Sequence, residues 1–202
     1  MASYDRKDHF HQRAKREGHR SRAVYKLFEV QKAQRLLRPG MRVVDLGCWP
    51  GGWLEAAAEA VGAAGRAAGV DLSAVDPPLT QENALALCGD LADPAMHARL
   101  REFLGGLADV VLSDAAPKLT GIRATDRARE EALLEAIEAS LGALLAPGGS
   151  LLLKILDGPE AQQVERRVRS RFEHARVFKP RASRKGTTER YLLARGYRPE
   201  PG

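Results

Sequence analysis

Cysteine, aromatic side chains, long apolar runs and dinucleotide-type glycine turns are all scarce in this chain, and each scarcity removes a class of function. Two cysteines in 202 residues cannot form a structural zinc site, which takes four ligands, and Cys48 and Cys88 lack ligand spacing. They are expected to be reduced thiols, as in a cytosol, with Cys48 present for packing. Aromatic residues make up 5%, which leaves base stacking on exposed rings a minor theme. No apolar run approaches the 18 or more residues of a membrane span. The first 20 residues are basic and polar with no apolar core, so they do not read as a secretory signal. There is no G-x-G-x-x-G turn, which excludes the usual nicotinamide oxidoreductase site. Internal repeats, low-complexity tracts and linkers are missing too, and the length suits one α/β domain. Acidic residues are also outnumbered. Lys and Arg total 32 against 26 Asp and Glu, for a net charge of +6, which favours a polyanionic partner.

What is present organises around Val43-Val44-Asp45-Leu46-Gly47-Cys48-Trp49-Pro50-Gly51-Gly52-Trp53. A buried strand leads through a glycine turn into a helix over Leu54–Val61, the arrangement of a nucleotide-cofactor site. The acid at Asp45, beside Gly47 and the Gly51-Gly52 pair, would repel a pyrophosphate and suits a cationic ligand. S-adenosylmethionine carries a sulfonium and an ammonium group, so it fits better. Asp71 ends the next strand, Ala67–Asp71, about 20 residues on, where an acid accepts hydrogen bonds from both ribose hydroxyls.

Around this unit the pattern predicts alternating strands and helices. Residues 1–20 read as a flexible basic arm and residues 21–198 as a single domain. Ser21 is expected to cap a helix from Arg22 to about Leu36. Ala84–Cys88 gives a third strand, Asp93-Pro94 starts a helix to about Leu104, and Asp109–Ser113 gives a fourth strand. A helix over Thr125–Leu145 stops at Pro147-Gly148-Gly149. Ser150–Leu156 is a central strand buried on both faces, followed by a helix over Glu160–Arg171 and strands near Ala175–Phe178 and Arg190–Arg195. The whole is a doubly wound sheet with its ligand at the carboxyl ends of the strands.

Four charged residues fall where strands or helices end: Lys26, Asp114, Lys154 and Glu189. Lys154 is the most informative, because a lysine inside the apolar run Leu151–Leu156 is costly to bury unless paired or uncharged. Beside Asp114 on a neighbouring strand, it could take a proton from a hydroxyl.

Taken together, Ser-Arg-x-x-Tyr-Lys-Leu from Ser21, Asp-Leu-Gly-x-x-Pro-Gly-Gly-Trp from Asp45, Ser-Asp-x-Ala-Pro from Ser113, the Leu-Lys strand at Lys154 and Glu-x-Tyr from Glu189 resemble the FtsJ/RrmJ family of ribosomal RNA 2′-O-methyltransferases. The likeness runs from about Arg20 to Gly196. It implies a Rossmann-like class I methyltransferase fold, seven strands with the last antiparallel, using S-adenosylmethionine and no metal. It implies a catalytic tetrad of Lys26, Asp114, Lys154 and Glu189, with Gly51, Trp53, Asp71, Asp90 and Asp114 lining the cofactor and Asp90 meeting the adenine amino group. The family acts on a uridine in the A-loop of large-subunit RNA on the assembled particle. A transfer RNA anticodon-loop methyltransferase shares the same motifs, and a non-catalytic ribosome-assembly factor could share the scaffold. In such a fold Arg13, Lys15, Arg16, Arg20 and Arg22, with Lys179, Arg181, Arg184 and Lys185, flank the site and would grip RNA phosphates. The chain is expected to act as a cytoplasmic monomer. Two departures stand out: Cys48-Trp49 replaces the usual Ala-Ala, and Lys118 replaces the usual Asn.

Overall fold

The computed structural model describes residues 9–118, 120–156, 158–183 and 186–199. Along the chain run α1 (His9–Glu17), α2 (Val24–Gln34), β1 (Arg42–Leu46), α3 (Gly52–Val61), β2 (Arg66–Asp71), β3 (Ala84–Cys88) and α4 (Pro94–Leu104). Then come β4 (Ala108–Ser113), α5 (Arg123–Leu144), β5 (Leu145–Ile155), α6 (Pro159–Ser170), β6 (Phe172–Phe178) and β7 (Arg190–Tyr197). The seven strands make one sheet in the order β3-β2-β1-β4-β5-β7-β6. β7 is antiparallel to β5 and β6, and the remaining neighbours pair in parallel.

Strands such as β1 and β5 are apolar without alternation because helices cover both faces. On one face Leu151 and Leu153 of β5 join Leu100, Ile137, Leu141, Val164 and Val168 from α4, α5 and α6. On the other, Leu152 joins Val24, Leu27, Val30, Leu54 and Ala57 from α2 and α3. The order reverses between β1 and β4, so the loops leaving these strands part and open a crevice at their carboxyl ends.

Helix ends follow local chemistry where that chemistry is strong. Asp93 accepts from Ala95 N at 2.8 Å, Pro94 takes the first turn, and Gly105 closes α4 in the left-handed region at φ 73°. Ser21 is different. The cap position of α2 is Ala23, with no side-chain cap bond, because Ser21 is packed against the start of α3. A Cβ added to Gly52 would lie 2.8 Å from Ser21 Oγ. β5 begins earlier than the apolar run suggests. Leu145 already pairs with Ala108, and Pro147-Gly148-Gly149 forms an irregularity before Ser150 meets Val110.

The basic N-terminal stretch, read from the sequence as a flexible arm, is partly helical. Its second part is α1, docked through buried Ala14 and through Phe10, whose ring centroid lies 5.5 Å from that of Tyr25. Phe10 and Ala14 are four residues apart and share one helix face. Residues 1–8 of the stretch lie outside the described residues.

Candidate active site

The four charged residues singled out from the sequence converge. Lys26 comes from α2, one turn before buried Val30 and on the same side of the helix, so it faces the sheet. Asp114 follows the last residue of β4, Lys154 is the penultimate residue of β5, and Glu189 precedes β7. Lys26 Nζ lies 3.4 Å from Asp114 Oδ1 and 3.1 Å from Glu189 Oε1. Lys154 Nζ donates to the Asp114 carbonyl oxygen at 2.5 Å and lies 3.2 Å from Asp114 Oδ1. The side chains are 9%, 17%, 10% and 13% exposed for Lys26, Asp114, Lys154 and Glu189. Two cations facing two anions at this depth keep each charge compensated, which a lone buried lysine would not be.

A fifth member is not legible from sequence as a site residue. Tyr191 pairs directly with Lys154 across the β5–β7 ladder. Its hydroxyl donates to Asp114 Oδ1 and accepts from Lys26 Nζ at 2.8 Å. Burial first, then the Asp114 and Glu189 carboxylates, push the phenol far above its ordinary pKa, so it stays protonated as a donor. The Glu-x-Tyr spacing sets it on the same face as Glu189, because positions i and i+2 of an extended segment share a face, but does not say what that face meets.

Beside the cluster lies a cleft lined by Ser21, Asp45, Gly47, Trp49, Trp53 and Asp114, among others. Gly47 is at φ 82° and Gly51 at φ 102°, a region L side chains rarely adopt. A Cβ on Gly47 would lie 2.4 Å from Ala115 Cβ, so the turn and the loop after β4 touch backbone to backbone. Trp53 is buried, its indole N–H donating to Ala23 O at 2.7 Å, which ties α3 to the start of α2. Cys48 is buried against the sheet, and burial pushes its thiol pKa up. Trp49 carries its bulk outward at 57% exposure, so this departure from Ala leaves the turn undisturbed.

Asp45 is the most telling of the cofactor candidates. It is 1% exposed, and among the described residues neither carboxyl oxygen has a hydrogen-bond partner. Burial chiefly, with Asp114 and Asp71 nearby, raises its pKa well above the carboxylate range. An unpaired buried carboxyl is costly, and a ligand bringing a cation or donor would relieve that cost. Asp71 accepts from Trp49 N at 3.1 Å and from Ser73 N at 2.8 Å. Its oxygens retain acceptor capacity for hydroxyls. Asp90, exposed just past β3, accepts from Ala92 N at 2.9 Å. It follows β3 at the carboxyl edge of the sheet and is not among the residues lining the cleft. An orphan acid deep in the cleft, an acid at the tip of β2 and a glycine turn opening a helix fit S-adenosylmethionine.

The basic candidates divide. Lys15 and Arg16 are exposed on α1, and Arg181 is exposed with its main-chain N–H held by Glu29. Arg13 is paired with Glu17 at 2.8 Å and stacks 4.7 Å above Tyr25. Lys179 Nζ donates to Thr187 O at 2.5 Å. Arg184 and Lys185 lie outside the described residues. Arg20 and Arg22 are committed to the protein itself. Arg22 donates to Ala182 O at 2.6 Å. Arg20 donates to Pro77 O at 2.6 Å and Pro78 O at 2.9 Å, and its Nε lies 3.6 Å from Glu55 Oε1. It thereby straps the entry to α2 onto the loop that follows Asp71, and its Cδ would be 3.1 Å from a Cβ on Gly51. Arg20→Ala is therefore expected to weaken cofactor binding about tenfold, equivalent to ~1.4 kcal/mol, while RNA affinity changes little. Calorimetric titration of both ligands checks this, and a loss confined to RNA would return Arg20 to a phosphate-gripping role.

Comparison with known proteins agrees with the geometry. The family profile described as FtsJ-like methyltransferase matches residues 19–197. The ribosomal RNA large subunit methyltransferase E of Acidithiobacillus ferrooxidans is 46% identical over 188 residues, covering 93% of this chain and 84% of that protein. The protein of the same name from Pseudomonas aeruginosa is 42% identical over 190 residues, covering 93% and 89%. Among solved structures, a protein of Plasmodium falciparum described as a ribosomal RNA methyltransferase superposes with a TM-score of 0.73 at 24% identity, over 89% of this chain and 98% of its own. An Aeropyrum pernix fibrillarin with S-adenosylmethionine bound gives 0.61 at 14%, over 85% and 73%. This chain belongs to the FtsJ-like methyltransferase family.

Proposed function

We propose that this chain methylates the ribose 2′-hydroxyl of a uridine in large-subunit ribosomal RNA, in the A-loop of the assembled subunit, acting as a cytoplasmic monomer. The observation that carries the reading is the charge-balanced cluster of Lys26, Asp114, Lys154 and Glu189 at the lip of the cofactor cleft. The names of the large-subunit relatives support the ribosomal acceptor.

Bound in the cleft, S-adenosylmethionine supplies a methyl carbon made electrophilic by its sulfonium. Transfer then needs in-line alignment and the removal of one proton. Lys154 is the group at the reacting hydroxyl. As the free amine it takes the 2′-hydroxyl proton, and as the ammonium it stabilises the charge developing on that oxygen. Asp114 orients Lys154 from two atoms, its carbonyl at 2.5 Å and its carboxylate at 3.2 Å. Lys26 and Glu189, joined at 3.1 Å, hold that carboxylate in place and position the ribose. Lys15 and Arg16, exposed on α1, and Arg181, exposed after β6, grip phosphates, so binding weakens steeply as salt rises.

The test is transfer of labelled methyl from S-adenosylmethionine to unmodified large subunits, their naked RNA and bulk transfer RNA. Label confined to the subunit supports the reading. Label in transfer RNA moves the acceptor to the anticodon loop, and no label with cofactor bound favours a non-catalytic assembly factor.

A further inference from the structure

β4 delivers Asp114 to the cluster, and Ala115 then abuts the cofactor turn at Gly47. Among the described residues between Ala115 and α5, several are held by hydrogen bonds. Asp126, in the first turn of α5, reaches back so that Oδ1 accepts from Thr120 N at 2.6 Å and Thr120 Oγ1 at 2.8 Å. Its Oδ2 accepts from Gly121 N at 3.1 Å. Ile122 N donates to Thr120 Oγ1 at 3.2 Å, and Arg129 Nη1 donates to Lys118 O at 3.0 Å. The Thr120 bonds, main-chain first, hold the Asp126 carboxyl below its usual pKa.

The groups this framework presents do not serve folding. Ile122 is 63% exposed, and Lys118, Arg123 and Arg127 are exposed around it. An isoleucine left in water beside cations, on a segment fixed by hydrogen bonds, suits a partner that offers both negative charge and an apolar face. RNA offers phosphates and the flat faces of sugars and bases. α5 packs on one face of the sheet, while α2, α3 and the Phe10 side of α1 pack on the other. The segment is thus separate from Lys15, Arg16 and Arg181.

We propose that Lys118, Ile122, Arg123 and Arg127 form a second RNA-docking wall, across the catalytic crevice from α1, so that the acceptor strand is held from both sides. The cations bind phosphates and Ile122 packs on a sugar or base. This rests on the RNA methyltransferase reading, and it gives Lys118, the departure from Asn, a task.

The test compares wild type with the triple variant Lys118→Ser, Arg123→Ser, Arg127→Ser and, separately, Ile122→Ser. Methyl transfer is measured on subunits against subunit and salt concentration, and binding to naked large-subunit RNA is measured by filter retention, with the S-adenosylmethionine dissociation constant as the control for folding. The triple variant is expected to raise KM for RNA about tenfold or more, and to lower the salt slope by about 2, since each phosphate contact to a single strand contributes about 0.7. Ile122→Ser should raise KM with no change in salt slope. Unchanged KM and slope in the triple variant, with wild-type transfer intact, overturn the wall alone. A transfer defect on subunits with unchanged binding to naked RNA also overturns it, by assigning the surface to a ribosomal protein. Lack of transfer to any RNA by the wild type overturns the parent reading and the wall with it.

Discussion

Lys154→Ala is expected to lower kcat by about 10²–10⁴-fold, the range ascribed to a positioned acid–base group, and to leave the dissociation constant for S-adenosylmethionine close to wild type. The split follows from position. Lys154 contacts Asp114 alone among the charged members and does not line the cleft. Removing its amine takes away the group proposed to act on the reacting oxygen, while the cofactor turn keeps its contacts. Asp114 retains Lys26 and the Tyr191 hydroxyl, so the loss of one partner does not strand it, and the stability cost should stay below the ~3–5 kcal/mol of an uncompensated buried charge. Single-turnover transfer and calorimetric titration on one preparation check both halves. Cofactor affinity falling in parallel with kcat would make Lys154 a structural residue.

Asp45→Asn should pull stability and cofactor affinity in opposite directions. Burial raises the pKa of Asp45 in the folded chain above its unfolded value. Below about pH 3.8 the carboxyl is protonated in both states and contributes no difference. As pH rises past that point the unfolded chain ionises while the folded chain keeps its proton. The unfolded state then binds fewer protons, and wild-type stability falls with pH until the folded pKa is reached. Asparagine has no proton to lose. The variant without cofactor should therefore melt higher than wild type at pH 7, by about 2–4 °C for each kcal/mol recovered in a chain of this size, and the gap should close toward pH 4. Cofactor affinity should fall by about 1.5–3 kcal/mol, roughly ten- to hundredfold, the worth of a hydrogen bond to a charged group. Thermal melts with and without S-adenosylmethionine across pH measure both. A variant that melts lower at pH 7, or binds the cofactor as tightly as wild type, would remove Asp45 from the site.

The order of strands and helices and the cofactor turn are readable because each is written locally, whereas the charged cluster, whose Lys26 and Glu189 are 163 residues apart, is joined in the sequence only by the family resemblance. Val43–Trp53 is a contiguous strand, turn and helix start, and Lys154 announces itself by interrupting an apolar run. Tyr191 is hidden because its role depends on the antiparallel register that sets it opposite Lys154, a pairing between segments 37 residues apart. The main-chain contacts of Arg20 and Arg22 are hidden in the sequence because composition cannot separate an arginine that grips phosphate from one that grips a main-chain carbonyl. Their acceptors, Pro77, Pro78 and Ala182, are 57, 58 and 160 residues away. α1 escapes a sequence reading for a related reason: its apolar face is two residues, Phe10 and Ala14, among many cations. Ser21 has the chemistry of a cap, but packing against Gly52 claims it first.

The most direct measurement is the chemical position of the transferred methyl. Large subunits labelled by wild-type protein and by Lys154→Ala would be stripped of protein, and their RNA hydrolysed in alkali. A ribose 2′-O-methyl blocks cleavage at the next phosphate, so label from the wild type should appear in an alkali-resistant dinucleotide and be lost in the variant. Label in single nucleotides would place the methyl on a base, and the proposed attack by a 2′-hydroxyl activated at Lys154 would be wrong.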